Sequence, residues 1–193
     1  MPDVVLSSPL AEVLAQGKRV LHVDGQECTL GEVAFVDMFT LRGNAADTRF
    51  VQAVLRHTGM HLPHKANTAS IDPQRQLLWM GPDEWLLKSS DGQGDAIASA
   101  LRAALAGIHS TVVDVGHGNT TLTVQGPGAA GLLARGCPLD LHPRAFATGA
   151  LAQTHIAKAG ATVLCLAAST HFELTVRRSF ADYLFRWLCA AGA

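Results

Sequence analysis

The chain has 193 residues, 48% of them hydrophobic, enough to bury a core that offsets the entropy of ordering; this excludes a disordered chain and bounds one or two compact domains. Its 15 Lys and Arg balance 16 Asp and Glu to a net charge of -1, so no global field gathers nucleic acid, an anionic membrane or an acidic substrate. Only 16% of residues are charged, against about 25% in an ordinary soluble domain, which is read either as alanine-rich composition or as a surface partly covered by partner chains.

No stretch reaches the roughly 18 apolar residues of a spanning helix, and Met1-Pro2-Asp3-Val4 lacks the basic-then-apolar layout of a signal peptide, so a cytoplasmic location is expected. Residues 1–35 read as an arm: a short amphipathic piece from Leu10 to Leu14, Gly17, the strand-like Val20–Val23 and an Asp24-Gly25 turn. Met38–Leu41 reads as a strand ending at Gly43, and Asn44 is expected to cap a helix carrying Phe50, Val51, Val54 and Leu55, stopped by Gly59. Gly81-Pro82-Asp83-Glu84 separates the apolar runs Leu77–Met80 and Trp85–Leu87 as a hairpin turn does, and Asp95 is expected to cap a helix with Ile97, Leu101 and Leu105 on one face.

The second half repeats this order. Thr121–Val124 is a strand ending at Gly126, a short helix with Leu132 and Leu133 stops at Gly136, and Thr162–Leu166 and Phe172–Val176 make the next hairpin. Phe172–Val176 alternates apolar and polar residues as a half-buried strand does. Ser179 is expected to open the last helix, with Tyr183, Leu184, Trp187 and Leu188 as its apolar face. Gly43 maps to Gly126 at an offset of 83, and Trp85 and Leu87 map to Phe172 and Leu174 at 87. The expected fold class is therefore α+β: two repeated strand–helix–hairpin–helix units with antiparallel sheets, 36–110 and 111–193, behind the arm at 1–35.

Motifs that could carry chemistry each have a plainer account. Gly126-Pro127-Gly128-Ala129-Ala130-Gly131 fits a dinucleotide G-x-G-x-x-G, yet no acid-terminated strand follows about twenty residues on, and a tight strand-to-helix corner explains the same residues. His57, His61 and His64 would suit zinc on one helix face, but Gly59 and Pro63 break the spacing, and His117 sits in a polar Gly116–Asn119 turn. Cys28, Cys137, Cys165 and Cys189 form no C-x-x-C pair and lie in apolar contexts, as buried free thiols do. Asp114 ends an apolar strand and reads as a turn-capping carboxylate; Asp83 and Glu84 belong to the hairpin turn. These residues predict no catalytic group, no cofactor site and no metal site in this chain. Two features point instead to contact surfaces: Arg177-Arg178 beside aromatic residues, suited to bidentate pairing, and the proline-rich segment Cys137–Phe146, where Arg144 and Phe146 are candidate interface residues.

Leu41-Arg42-Gly43, Gly81–Leu86, Gly126-Pro127, Gly136–Arg144, Gln153-Thr154-His155 and Val176–Leu184 together make the chain resemble the gamma subunits of heterotetrameric sarcosine oxidase over about residues 36–190. The resemblance implies a fold similar to the first two parts of the aminomethyltransferase (glycine cleavage T-protein) family. It also implies a non-catalytic structural role in a bacterial enzyme that oxidises the methyl group of sarcosine, giving glycine, hydrogen peroxide and, with tetrahydrofolate, methylene-tetrahydrofolate. The partners implied are the alpha, beta and delta subunits, with FAD, FMN, NAD and folate chemistry on the larger ones and zinc on delta. The alternative is a stand-alone folate-binding or folate-dependent aminomethyltransferase-like protein with its pocket between the two repeats.

Overall fold

In the computed structural model, which describes residues 6–193, the period-two segments become strands and the 3.6-period segments become helices. In chain order these are β1 (Arg19–Val23), β2 (Gln26–Val33), β3 (Asp37–Arg42), α1 (Thr48–Thr58), β4 (Ala69–Ile71), β5 (Arg75–Gly81), β6 (Glu84–Ser89) and α2 (Gly94–Ala104). The second half continues with β7 (Thr111–Asp114), β8 (Asn119–Gln125), α3 (Ala129–Ala134), β9 (Leu151–Ile156), β10 (Ala159–Ala167), β11 (His171–Arg177) and α4 (Ala181–Ala191). The reading of Met1-Pro2-Asp3-Val4 lies outside the described residues.

The strands form two antiparallel sheets, ordered β4-β5-β6-β3-β7 and β9-β10-β11-β8-β2-β1, which match strand for strand except for the extra β1. The match extends to register. Leu41 pairs with Trp85 as Val124 pairs with Phe172, and Phe39 pairs with Leu87 as Leu122 pairs with Leu174. A bulge follows Trp79 in β5 as one follows Cys165 in β10. The same equivalence interlocks the halves, because β2 precedes β3 in the chain but hydrogen bonds to β8, while β7 precedes β8 but hydrogen bonds to β3. The stretch expected as an arm thus supplies β1 and β2 to the second sheet, and the start of the expected second repeat supplies the edge of the first.

Each sheet buries one face under two helices. Phe50, Trp85, Leu87, Ile97 and Leu101 fill the space below α1 and α2; Leu132, Phe172, Leu174, Leu184 and Leu188 fill that below α3 and α4. Trp85 is fully buried and keeps its indole satisfied, Nε1 donating to the Pro63 carbonyl at 2.9 Å. The other two faces meet each other through Met38, Leu78, Leu86, Leu151 and Leu164, so the layers run helix, sheet, sheet, helix.

Several helix ends differ from expectation for local reasons. Asp47, not Asn44, caps α1, its Oδ1 accepting the Arg49 N–H at 2.9 Å, because the Asn44 side chain is spent on the Ala46 N–H. Asp95 lies inside the first turn of α2, and the turn before it is set by Asp91, which accepts the Gln93 N–H at 3.0 Å. Ser179 falls in a 3-10 turn, Arg178–Phe180, ahead of α4. The buried face of that helix is Ala181, Leu184, Phe185 and Leu188, with Tyr183 exposed.

The largest departure concerns Phe172–Val176, which is buried on both faces rather than half-buried. Its polar positions, Glu173 and Thr175, face the first sheet instead of water. There the Lys88 ammonium, 4% exposed, donates to Glu173 Oε2 at 2.5 Å and joins β6 to β11 across the sheets. Burial pushes the Lys88 ammonium below its usual range, and the Glu173 charge and hydrogen bond pull the other way. Removing one member of such a pair strands a buried charge, at a cost of about 3–5 kcal/mol, whereas replacing both by apolar groups is close to neutral. Urea denaturation should therefore show Lys88→Met or Glu173→Leu each lowering stability by about 3–5 kcal/mol and the double variant recovering most of the loss. Additive losses in the double variant would show that the pair does not couple the sheets.

Candidate functional site

The glycines of the Gly126 corner serve the chain's own backbone. Gly126 sits at φ +123°, and a Cβ there would lie 2.6 Å from the Glu27 carbonyl oxygen; one on Gly128 would lie 2.8 Å from that of Gln26. Gly128 N–H donates to Glu27 at 3.0 Å, so the start of β2 occupies the space a pyrophosphate would need, and a dinucleotide does not fit. No three His, Cys, Asp or Glu side chains gather as a metal site among the described residues, and His57, His61 and His64 are spread from the end of α1 into the following loop. Asp114 Oδ1 accepts the Gly116 N–H at 2.8 Å, which is the turn-capping role. Arg42 pairs with Asp83 at 2.7 Å and approaches Glu84 at 3.8 Å, tying off the hairpin acids.

The cysteines are all free thiols; Cys28, Cys137 and Cys165 are buried and Cys189 is partly covered. Burial pushes the Cys28 thiol up to about 11 and also raises Cys165 and Cys189. That is opposite to the shift a nucleophilic cysteine needs.

The proline-rich segment divides between core and surface. Its backbone is fixed by Asp140, which accepts the His142 N–H at 2.9 Å, and by the His142 carbonyl, which accepts from Ala145 and Phe146 at 2.8 Å. Phe146, expected at an interface, is 7% exposed and stacks on Phe172 with ring centroids 6.4 Å apart, so it covers the chain's own core. Arg144 is exposed, its N–H donating to His142 Nδ1 at 3.2 Å.

Arg177 and Arg178 are both exposed at the end of β11, and neither takes part in an ion pair among the described residues. Arg177 lines a cavity of about 400 Å³ at the margin between the sheets. Arg178 donates to the Ser7 carbonyl and lines a cavity of about 500 Å³ together with Leu6, Phe35, Asp37, Asp114 and His117. Phe35 is 64% exposed at φ +57°, and Leu6, Phe180 and Tyr183 are exposed as well. The double arginine thus lies outside any ion pair among the described residues, with Leu6 and Phe35 exposed around the cavity that Arg178 lines and Phe180 and Tyr183 exposed just after it in the chain. Sequence patterning missed Phe35 and Leu6, because exposure of a single apolar residue in a connection leaves no periodic signal. Asp37 beside them is raised by burial, opposed by the Gly94 N–H and reinforced by Asp95, Asp114 and Asp91.

A model of the sarcosine oxidase, gamma subunit family matches residues 42–193. The sarcosine oxidase subunit gamma of Corynebacterium sp. (strain U-96) is 32% identical over 186 residues, covering 95% of this chain and 88% of the relative. That of Arthrobacter sp. is 31% identical over 186 residues, covering 94% and 86%. Among solved structures, a chain of the heterotetrameric sarcosine oxidase from Corynebacterium sp. U-96 in complex with pyrrole 2-carboxylate superposes with a TM-score of 0.86 at 30% identity, covering 96% of this chain and 94% of that one. The glycine cleavage system aminomethyltransferase T from Bartonella henselae shares the fold, with a TM-score of 0.62 at 15% identity over 95% of this chain and 57% of that one.

A thiol held near 11 is almost wholly protonated at pH 8, so the native chain should react with an aromatic disulfide reagent at that pH only slowly at Cys28 and should release its full thiol content only in denaturant. Rapid native modification assigned to Cys28 by peptide mapping would contradict the burial described.

Proposed function

Since the chain belongs to the sarcosine oxidase gamma subunit family, we propose that it is the gamma subunit of a heterotetrameric sarcosine oxidase and contributes structure rather than chemistry to it. Its partners are the alpha, beta and delta subunits, and the assembly carries out the oxidative demethylation of sarcosine in the cytoplasm. FAD, FMN, NAD, zinc and tetrahydrofolate are assigned to those partners, in keeping with a Gly126 corner filled by Glu27 and with histidines that do not converge. The observation that carries this reading is the superposition over nearly the full length of both chains. The layer between the sheets, where a folate pocket of the alternative kind would lie, is closed by Met38, Leu86 and Leu164 and by the Lys88–Glu173 pair, which leaves cavities of about 400 and 240 Å³ at its margins. No helix among the described residues is long and apolar enough to cross a membrane.

Arg144, Arg177 and Arg178 are proposed as docking residues, the last two because they are exposed, take part in no ion pair among the described residues and are followed closely in the chain by the exposed Phe180 and Tyr183. Exposed arginine pairs contribute only about 0–1 kcal/mol to a chain's own stability, whereas truncating one that is desolvated at an interface costs roughly 2–5 kcal/mol. Co-expression with the other three subunits and purification through a tag on the large subunit should recover this chain in equal stoichiometry. Replacing Arg177 and Arg178 together by alanine should lower that recovery while leaving the thermal midpoint of the chain unchanged. Absence of the wild-type chain from the purified assembly would overturn the subunit reading; a collapsed midpoint in the variant would show that the arginines serve the chain's own fold.

A further inference from the structure

Two cavities lie at corresponding places on opposite margins of the layer between the sheets. Register makes Gln76, Lys88 and Glu173 the equivalents of Thr162, Thr175 and Leu86, since Gln76 pairs with Lys88 as Thr162 pairs with Thr175, and Leu87 corresponds to Leu174. The first three line the cavity of about 240 Å³, and the second three line the one of about 400 Å³. The same fold thus closes one margin with two threonines and a leucine and the other with an ammonium, a carboxylate and an amide. A buried ion pair adds little cohesion that apolar residues of similar volume would not, so packing alone does not account for the charged set.

Most polar groups around the smaller cavity are committed elsewhere. Arg75 donates to Asp91 and to the Thr58 carbonyl, Asp72 accepts the Gln74 and Arg75 N–H groups, and Ser89 and Ser90 donate to Asp91 and to the Gln74 carbonyl. The buried pair is not fully engaged: among the described residues Lys88 has one partner for its three N–H groups, and Glu173 Oε1 accepts from none. Both residues are more than nine-tenths buried, so a donor and an acceptor left open there are costly unless something in the cavity meets them. The charged residues of the lining, Lys88 and Arg75 against Asp72 and Glu173, cancel, which disfavours an occupant with a net charge. The volume is far above the roughly 10–15 Å³ that a single water requires, so a molecule of several atoms fits.

We infer that this cavity binds a small α-amino acid as its zwitterion, the carboxylate accepting from the Lys88 ammonium and the amino group donating to Glu173 Oε1. A zwitterion meets both open groups at once and brings no net charge, whereas an anion or a cation meets one of them and adds a charge without a counterpart. Oxidative demethylation of sarcosine starts from and ends in amino acids of this class, but the inference stands on the cavity and is tested on the chain without its partners.

Equilibrium dialysis of the full chain against labelled glycine and labelled sarcosine provides the test. At least one of the two should bind saturably at one molecule per chain, and acetate and methylamine, which carry one charge each, should bind at least tenfold more weakly. Glu173→Gln, which keeps the shape but removes the charge, should weaken amino-acid binding at least tenfold, and so should the stability-compensated double variant Lys88→Met, Glu173→Leu. Thr175→Val, in the corresponding cavity, should leave binding unchanged. Absence of saturable binding, equal binding of acetate, or full retention by Glu173→Gln overturns the inference, and loss of binding in Thr175→Val does the same by moving the site to the other margin. A crystal soaked in glycine whose smaller cavity holds water only also overturns it. Each of these results leaves the subunit reading standing, and a chain that binds glycine but never joins the assembly defeats only that reading.

Discussion

Each sheet takes from the other half of the chain the strand that lies beside its first core strand: β2 beside β8, and β7 beside β3. The connections at Ala34–Val36 and Val115–Gly118 therefore cross from one sheet to the other, and neither half can complete its sheet alone. Everything else is arranged around that exchange. It holds the sheets face to face, which buries a second face on strands that would otherwise be covered on one side only, and it leaves the helices no place except the two outer faces. At the far margin the sheets are joined again by a bridge between Thr68 and Ala150, with Leu151 N–H donating to the Asn67 carbonyl at 3.0 Å.

The layer between the sheets is less apolar than the two cores beneath the helices. It holds Lys88 and Glu173, and the buried oxygens Thr121 Oγ1 and Gln76 Oε1 have no hydrogen-bond partner among the described residues. Gln76 is the cross-strand neighbour of Lys88, whose ammonium has three N–H groups and one carboxylate partner. Polar atoms at this depth fix how the sheets sit on each other, because sliding one sheet by a residue would separate the ammonium from the carboxylate and leave both uncompensated. Apolar contacts such as those among Leu78, Leu86, Leu151 and Leu164 tolerate such a shift far better, so orientation is assigned mainly to the pair and cohesion mainly to the leucines.

Much of this was legible in the sequence, and the remainder was hidden for identifiable reasons. The hairpin at Pro82-Asp83, the strands around Met38–Leu41 and Thr121–Val124 and the stop at Gly59 follow from neighbours close in sequence, and the correspondence of Trp85 with Phe172 follows from the same local pattern recurring at an offset of 87. Sheet membership is a different kind of fact. Periodicity at Gln26–Val33 and Thr111–Asp114 can mark a strand but says nothing about its partner, so the exchange stayed invisible. For the same reason Glu173 read as a solvent-facing position: alternation cannot distinguish a face turned to water from one turned to a second sheet with a cation opposite. Arg177 and Arg178 stand out in the sequence as a doublet, Phe146 in its proline-rich segment carries no local sign of burial, and Phe35 gives no pattern at all.

The exchange has a consequence for synthesis. Residues of β2 leave the ribosome 88 to 96 positions before the β8 residues they pair with, as Val33 with Thr121 and Thr29 with Gln125. Within that interval, once β6 is made and until β7 follows, β3, β5 and β6 form a sheet without its β7 edge, and throughout it the β1–β2 hairpin has its apolar Leu21, Val23, Cys28 and Leu30 with no core to enter. Native order is thus established late, in a few steps of large sequence separation, which is the circumstance that slows folding and leaves unpaired edges available to other nascent chains. A polypeptide built this way depends on completion of its own translation more than two tandem, self-contained repeats of the same length would.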